Sequence, residues 1–460
     1  MKNYTPSSLS IQKEITKHHL NLESEIDKSI NELGIKTLLC QSGIRKHKGF
    51  PTVNLVFALI LLPFLKISLT SLWVGKLVEN IFSAHKDTYY RFMNQERYNW
   101  RKFIMLLANR LITRLDTRPL KDKVLIGDDT LIAKTGENME LVSYHFDHTK
   151  KVSQLGYQML QLGYHNGEYF CPLDVAFHTS KKRTNQELRD IDHRVCGWKR
   201  RLEAFQKKTN VLVEMVRRAW QAGIEAQFVL FDSWFAHDIL IFKIKQIGYD
   251  VICRLKRSKQ LYEYRGQSLN LSELWHDIAR HQLTWVNSWQ VKATYLDVIL
   301  PLSGKVRIVF VRSSRKKWHA FLSTNINMEL PEILKYYSCR WTIEVYFRDC
   351  KQMLYLGKGQ SETFDAVVAL ASLVMLRYLL LVYILAKRQL KGPIGPLFQE
   401  LVHEHLQIAM ADVLWTRIRE IFMVSSQLFW DDFDSDKFIH LIDLVEDTLL
   451  TYGFSSTAKL

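Results

Sequence analysis

Cysteine is scarce in this 460-residue sequence, and none of its six cysteines forms a CxxC pair. That scattering excludes a zinc ribbon and a disulfide framework, and it favours a reducing compartment. The sequence also contains no P-loop, GxGxxG or HExxH motif, so nucleotide hydrolysis and zinc-protease chemistry have no support. Because its first twenty residues lack the apolar segment of a secretory signal, we expect a cytoplasmic protein.

Acidic residues are outnumbered, with 47 Asp and Glu against 63 Lys and Arg, which gives a formal charge of +16. An excess of this size favours a polyanionic partner, with DNA or RNA the first candidates and an anionic membrane surface the second. Residues 85–103 and 198–220 concentrate this positive charge. Residues 85–103 predict either a DNA-facing surface or a helix pair whose aromatic residues pack inward. Residues 198–220 predict either a DNA-binding helix or a helix with a solvated basic face.

Long apolar runs are rare, and one of them is long enough to span a bilayer. Residues 366–386 form a run of 21 nearly all apolar residues, with Arg377 at its centre. A central arginine costs roughly 2.5–3.5 kcal/mol on membrane-insertion scales. We therefore predict a buried core helix and expect no membrane association, with a transmembrane span as the alternative.

The hydrophobic periodicity predicts an α/β fold. Strand-like and helical segments alternate through the middle of the chain, whereas residues 258 to about 325 alternate with period two and lack a helix of useful length. We predict a mixed sheet with flanking helices, interrupted by an antiparallel β insertion. The predicted regions are a helical, DNA-binding N-terminal region (1–115), the first part of the core (116–257), the insertion (258–330), the second part of the core (331–390) and a helical C-terminal region (391–460).

Two acidic residues occupy the same kind of position in the predicted core. Asp128 in "KVLIGDDT" and Asp232 in "AQFVLFDSW" each follow a short hydrophobic strand. Carboxylates at strand ends face the crevice above a sheet, and two of them on neighbouring strands can bridge hard divalent cations. Taken singly, either residue is better explained as a cap at the start of a loop, and the pair is stronger evidence for a metal site than either alone.

The stretch "YYSCRWTIEVYFRDCK" (336–351) carries an unusual strip of polar residues. On one helix Tyr337, Arg340, Glu344 and Lys351 fall within about 60° of one another, beside an apolar stripe about 85° away. The opposite side, which includes Asp349, is expected to face water. The strip therefore borders the buried face. It belongs either to an ordinary amphipathic helix or to a catalytic site.

These four residues resemble the Y-(2)-R-(3)-E-(6)-K signature of DDE-superfamily insertion-sequence transposases, in the branch called insertion-sequence family four. "IGDDT" and "FVLFDSWF" resemble the two aspartate motifs of that family, and the resemblance covers roughly residues 85 to 365. It implies an RNase H-like catalytic domain in which Asp128, Asp232 and Glu344 bind two Mg²⁺ ions, with Mn²⁺ as a substitute. Asp129 remains an alternative first aspartate.

The resemblance further implies an enzyme that binds terminal inverted repeats, cleaves the element ends and joins them to target DNA, through a hairpin intermediate. Two metal ions about 3.5–4 Å apart suit such in-line displacements. Tyr337, Arg340 and Lys351 would hold the phosphates beside the scissile bond. Synapsis of two ends implies a homodimer on DNA, at the bacterial nucleoid. The alternatives are a metal-dependent nuclease and a non-catalytic DNA-binding regulator derived from a transposase.

One tryptophan adds to the resemblance. Trp318, 19 residues before Tyr337, lies where similar transposases carry a tryptophan that stacks on a flipped-out base. Two lysines precede it, which favours a DNA-contacting tip. The alternatives are an ordinary sheet aromatic at this position, or a stacking role for Trp285 or Trp289.

Overall fold

The computed structural model describes residues 23–69, 84–147, 151–180, 188–312, 317–359, 361–428, 440–445 and 448. Within these ranges the regular structure of residues 23–115 is helical, as the 3.6-residue periodicity predicts. Its helices are α1 (Glu25–Glu32), α2 (Ile35–Gln41), α3 (Thr52–Leu61), α4 (Lys86–Met93) and α5 (Trp100–Leu115).

Strands and helices then alternate. The first part of this region contains β1 (Val124–Ala133), β2 (Ser143–Asp147), β3 (Val152–His165), β4 (Phe170–His178), α6 (Cys196–Ala204), α7 (Lys208–Gln221), β5 (Phe228–Phe231), α8 (Asp238–Ile247) and β6 (Asp250–Leu255). The next strands are β7 (Leu261–Tyr264), β8 (Gln267–Asn270), β9 (Thr284–Val286), β10 (Val291–Leu300), β11 (Gly304–Arg312) and β12 (Trp318–Ser323). Short helical turns at 271–281 separate β8 from β9.

The chain is helical again after β12. The elements are α9 (Leu330–Ser338), α10 (Trp341–Gln352), α11 (Phe364–Lys387) and α12 (Gly395–Leu428), and residues 440–445 are also helical. The strip "YYSCRWTIEVYFRDCK" is therefore divided between two helices, with Arg340 at their junction. Periodicity alone did not reveal this break.

The twelve strands in the described part of the chain belong to one mixed sheet. Its order is β2-β3-β1-β5-β6-β12-β11-β10-β7-β8, with β4 also paired to β3 and β9 to β10. β5 is parallel to both β1 and β6, and the other pairs are antiparallel. The predicted insertion thus continues the core sheet, because β12 pairs directly with β6. A mixed sheet with helices on its faces confirms the predicted fold class and is consistent with an RNase H-like fold.

The apolar run at 366–386 lies in α11, inside the protein. Among the described residues α11 is the one helix long and apolar enough to cross a membrane, and 94% of its most apolar window is buried. Arg377 donates hydrogen bonds to the carbonyls of Leu59, Ile60 and Leu354, at 2.6, 3.1 and 2.9 Å. These acceptors include carbonyls at the end of α3, which have no partner within that helix. The central arginine therefore joins α11 to α3.

The buried stripe predicted for 336–354 is confirmed. Ile343, Cys350 and Leu354 are fully buried and Phe347 nearly so. The prediction that Asp349 faces water is wrong, because α11 covers that side of α10 and leaves Asp349 only 5% exposed. Helix geometry gives the angular position of a side chain but not which neighbouring elements cover it.

Two buried ion clusters fasten the helices to the sheet. Arg201 of α6 binds the carboxylates of Glu140 and Asp365, with nitrogen–oxygen distances between 2.6 and 3.1 Å. Asp174 of β4 binds Arg101 of α5 at 2.8 Å and Arg218 of α7 at 2.7 Å. Burial opposes ionisation of Asp174, but the surrounding arginines outweigh burial and lower its pKa to about 2.

Candidate active site

The two predicted aspartates lie side by side on the sheet. In the parallel pair β1–β5, Gly127 is opposite Phe231, so the next residue on each chain brings Asp128 beside Asp232. Phe231 is in turn opposite Cys253 of β6, which extends the same row to Arg254. Because side chains alternate along a strand, Asp128, Asp232 and Arg254 share one face. Asp128 does not end its strand as predicted, since pairing with β3 carries β1 on to Ala133.

Arg340 joins the first predicted acid to the third. Its Nη1 atom lies 2.8 Å from Oδ2 of Asp128, and its Nη2 atom donates to Oε1 of Glu344. The Arg340 and Asp128 side chains are 13% and 15% exposed, and that of Glu344 is 34% exposed. Residues more than two hundred positions apart in the sequence thus meet through one guanidinium group.

Asp129 faces the other side of the sheet. Its carboxylate accepts a hydrogen bond from Nε2 of Gln158 at 3.0 Å and forms an ion pair with Lys208 of α7. Its backbone amide donates to Oδ1 of Asp128 at 2.8 Å, which helps to orient that carboxylate. The structure therefore brings Asp128, rather than Asp129, together with Asp232 and Glu344.

The local electrostatics leave negative charge partly uncompensated. Burial raises the pKa of Asp128 to about 7, and the nearby charges of Asp129 and Asp232 add to this shift, while Arg340 opposes it. Burial also raises the pKa of the Tyr337 hydroxyl, which therefore stays protonated at neutral pH. A further cation would relieve the repulsion around Asp128.

The donor set suits a hard divalent cation, since carboxylate oxygens are the ligands that Mg²⁺ and Mn²⁺ prefer. Among the residues that the structure describes, however, no group of three His, Cys, Asp or Glu residues is close enough to hold a metal ion. The guanidinium of Arg340 takes part of the space, because it binds Asp128 and Glu344 at once. An ion held by both of these acids would have to displace it.

The other two signature residues lie around the carboxylates. The Tyr337 ring packs on Phe321 of β12 at 4.8 Å, and the Arg340 guanidinium lies 5.8 Å from the Tyr337 ring centroid. Lys351 donates to Oγ1 of Thr130 at 2.7 Å and to the carbonyl of Leu131 at 3.1 Å. Lys351 is therefore held against β1, two to three residues beyond Asp128.

Trp318 lies on the opposite face of the sheet from this site. Phe321 contacts Tyr337, and Trp318 is an odd number of residues away on the same strand, so its ring points away from Tyr337. That ring is stacked on Trp275, with centroids 4.9 Å apart, and the Arg257 guanidinium lies 4.7 Å from it. The geometry matches an ordinary sheet aromatic.

The alternative tryptophans are more accessible. Trp285 is 53% exposed and Trp289 is 37% exposed, although the indole N–H of Trp289 donates to the carbonyl of Pro331 at 3.3 Å. Trp341, directly after Arg340, is 62% exposed. Exposed indole rings are the ones that can stack on a base.

The sequence analysis missed one residue of this site. Arg254 continues the row of Asp128 and Asp232, and its Nη2 atom lies 2.8 Å from Nδ1 of His319 on β12. A charged residue in the middle of the predicted strand "YDVICRLKR" was the available signal. Its place beside Asp232 depends on strand pairing, which the sequence does not display.

Two family models match the chain. The model described as DDE superfamily endonuclease matches residues 74–268, and the model described as transposase DDE domain matches residues 203–380. Together they span the residues from Asp128 to Glu344. These matches support a DDE-superfamily transposase or endonuclease. No curated protein sequence matches the chain significantly.

The DDE-superfamily match implies nuclease-type chemistry with DNA as the substrate, and enzymes of this superfamily generally use divalent metal ions. The matched ranges contain β1, which carries Asp128, β5, which Asp232 directly follows, and α10, which carries Glu344. Assignment to insertion-sequence family four remains a prediction from the Tyr337-to-Lys351 signature.

Proposed function

We propose that the protein is the DNA transposase of a bacterial insertion sequence of family four, and that Asp128, Asp232 and Glu344 form its catalytic centre. The observation that carries the proposal is the double contact of Arg340 with Asp128 and Glu344. A signature arginine and two of the acids, which are distant in sequence, meet beside the third acid. A chance match of residue spacing would not bring these side chains together.

Asp128, Asp232 and Glu344 would hold two divalent cations, Mg²⁺ or Mn²⁺. When bound, two such ions activate the attacking oxygen and stabilise the leaving oxygen of an in-line displacement. The protein itself needs no covalent nucleophile for this reaction. The same centre would serve hydrolysis at the element ends and transesterification into target DNA.

The signature side chains would position the DNA. Arg340 can bind two oxygens of a phosphate in a forked geometry, and the Lys351 ammonium acts as a point charge. The protonated Tyr337 hydroxyl is a hydrogen-bond donor at neutral pH. Arg254 lies in the row of Asp128 and Asp232 and adds a fourth donor to this face. For base stacking, the exposed ring of Trp285 is better disposed than the packed ring of Trp318.

The proposal includes the remaining expectations for an element of this kind. The protein recognises terminal inverted repeats through its N-terminal region, forms hairpin ends and acts as a homodimer that synapses two ends. It works in the cytoplasm, at the nucleoid. The net charge of +16 is consistent with a protein that stays associated with DNA.

An end-cleavage assay with the DNA that flanks the reading frame tests this function. We expect cleavage in Mg²⁺ and none in EDTA, and we expect Asp232→Ala and Glu344→Gln to abolish it while DNA binding is retained. Asp129→Asn is the matched control, because Asp129 faces α7, and it should retain cleavage. Wild-type cleavage rates in the Asp232 or Glu344 variants would refute the assigned centre.

The same assay separates the two alternatives. A nuclease without strand transfer would cut the ends but never join them to a target plasmid. A regulator derived from a transposase would bind the ends but leave them intact in both Mg²⁺ and Mn²⁺.

A further inference from the structure

A cavity lies beside the buried arginine of α11, outside the candidate active site. It holds about 420 Å³ between the turn that follows α3, helix α4, the segment that precedes α11, and α11 itself. Small-molecule sites usually have volumes of roughly 300–1,000 Å³. Much of the wall is apolar and includes Leu62, Ile67, Met93 and Leu370, and Arg377 is part of the same wall. An apolar wall with a charged group converging on it is typical of a ligand site.

Arg377 brings a buried positive charge to this wall. The residue is 2% exposed, and burial lowers its pKa to about 9, a shift that the nearby Tyr355 and Cys350 oppose only in part. The guanidinium therefore remains charged at neutral pH. No Asp or Glu is among the described residues that line the cavity. Because a buried cation without a counter-ion is unfavourable, the cavity is suited to an anion.

The hydrogen bonds of Arg377 leave donors for a ligand. A guanidinium group has five N–H donors. In the described part of the chain, Nε, Nη1 and Nη2 of Arg377 each donate one hydrogen bond, to the carbonyls of Ile60, Leu354 and Leu59. Each of the two terminal nitrogens therefore keeps one N–H. Two N–H groups of one planar guanidinium suit the two oxygens of a carboxylate.

The charges around the cavity favour a small monoanion. Lys66 and Lys358 also line it but are exposed, and the Lys358 Nζ atom lies 4.4 Å from the Tyr355 ring centroid. Both lysines attract an anion while they stay hydrated, so the buried charge is that of Arg377. A dianion such as a phosphate monoester would bring a second, unbalanced charge into apolar surroundings. A DNA phosphodiester carries one charge, but nucleotides on both sides keep it from a guanidinium that is 2% exposed.

We propose that this cavity binds a small organic monocarboxylate with an apolar body. Arg377 binds the carboxylate through its two remaining N–H groups, and the apolar body packs against Leu62, Ile67 and Leu370. Lys66 and Lys358 guide the anion to the cavity mouth. The ligand joins the turn after α3 to α11, and it stabilises the folded protein by occupying a site that the unfolded chain lacks. This site is separate from Asp128 and Glu344 and does not rest on the proposed function.

Isothermal titration calorimetry of the 460-residue protein, without DNA and in EDTA, tests the proposal. The probe is octanoate, and the matched ligands are 1-octanol, which lacks the charge, and acetate, which lacks the apolar chain. Octanoate should bind at one site per chain and about tenfold or more tightly than 1-octanol, because the alcohol loses charge-assisted hydrogen bonds to Arg377. Acetate should give no measurable binding, since it buries almost no apolar surface. Octanoate should also raise the thermal midpoint.

Variants locate the binding site. Arg377→Met should bind octanoate no better than 1-octanol. Because this change also removes the donor of three buried carbonyls, Leu370→Trp provides a test that leaves Arg377 in place: the larger ring fills the cavity, so octanoate binding should be lost. Lys66→Gln/Lys358→Gln should weaken octanoate binding about two- to fivefold, as expected for exposed charges. The matched control Lys36→Gln/Lys305→Gln removes the same charge from exposed positions outside the cavity and should bind octanoate like the wild type.

Several results would overturn the proposal. Equal affinities for octanoate and 1-octanol would remove the role of Arg377, and wild-type octanoate affinity in Leu370→Trp would place the ligand elsewhere. Tighter binding of octyl phosphate than of octanoate would refute the choice of a monocarboxylate. Equal weakening in the two lysine pairs would contradict the contacts at the cavity mouth. Because these titrations contain neither DNA nor divalent metal, their outcome is independent of whether the protein is a transposase.

Discussion

Replacement of Arg340 by Gln should strengthen the binding of divalent metal by the DNA-free protein. Arg340 contacts Asp128 and Glu344 at once, so its guanidinium competes for the oxygens that would ligate an ion. Glutamine removes the positive charge and keeps a side chain that can donate hydrogen bonds. Asp128 and Glu344 are then left to repel each other, together with Asp232, until a cation binds.

The size of the effect follows from the two contacts. Unit charges 4 Å apart attract by about 4 kcal/mol at an effective dielectric constant of 20. The Glu344 side chain is one-third exposed, so solvent screens its attraction to Arg340. The contact of Arg340 with the more buried Asp128 therefore accounts for most of the competition between Arg340 and a metal ion. Because the freed guanidinium regains hydration, we expect a net gain of about 1.4–2.7 kcal/mol, or roughly 10- to 100-fold in metal affinity.

Mn²⁺ binding measured by electron paramagnetic resonance, without DNA, provides the assay. Lys351→Gln is the matched control, because it removes one positive charge from the same four-residue signature, and the Lys351 ammonium binds Thr130 and the carbonyl of Leu131. Its metal affinity should stay within about threefold of the wild type. Arg340→Gln should nevertheless cleave DNA poorly, since a phosphate contact is lost. Unchanged or weaker Mn²⁺ binding by Arg340→Gln would refute the competition.

Three further predictions concern stability and base stacking. Arg201→Met should lower the free energy of unfolding by about 3–5 kcal/mol, because the buried carboxylates of Glu140 and Asp365 lose their partner. The exposed control Arg194→Met should change it by less than about 0.5 kcal/mol. Equal thermal midpoints of the two variants would contradict this prediction. Because the folded protein lowers the pKa of Asp174, the ionised carboxylate stabilises the fold at pH values above the ordinary aspartate pKa near 4. About 2 kcal/mol of that stabilisation should be lost as the pH falls from 4 to 2. Acid-unfolding curves of Asp174→Asn should lack this pH dependence. Trp285→Ala should impair hairpin formation without changing the thermal midpoint, because its ring is exposed. Trp318→Ala should lower the thermal midpoint, because its packing on Trp275 is lost. The reverse pattern would assign base stacking to Trp318.

Local periodicity accounts for the parts of the fold that were predicted correctly. The apolar runs before Asp128 and Asp232 form strands, as predicted. The stripe that contains Ile343 and Phe347 is buried, as predicted. Both patterns depend only on residues a few positions apart. The burial of Asp349 and the position of Arg254 beside Asp232 depend on packing and strand pairing between distant segments. Such contacts leave no trace in the spacing of a single sequence.

The face on which a strand residue lies explains two other outcomes. Asp128 and Asp129 are both acidic and both precede Thr130, yet one meets Arg340 and the other meets Lys208. A one-residue change of register inverts this assignment, because side chains alternate between the two faces. The same alternation directs Trp318 away from Tyr337, although its sequence neighbours match the expected motif.

The double contact of Arg340 also suggests how the site keeps its charges paired at each stage of the proposed reaction. Without DNA and metal, Asp128 and Glu344 share one guanidinium, whose charge opposes the rise that burial causes in the pKa of Asp128. Divalent ions would replace that positive charge on the carboxylates, and the incoming phosphate would offer the displaced guanidinium a new anion. On this proposal metal and DNA each favour binding of the other through Arg340. The coupling should therefore fall in Arg340→Gln, so that Mn²⁺ affinity no longer rises when a noncleavable DNA end is added, whereas Lys351→Gln should retain the rise.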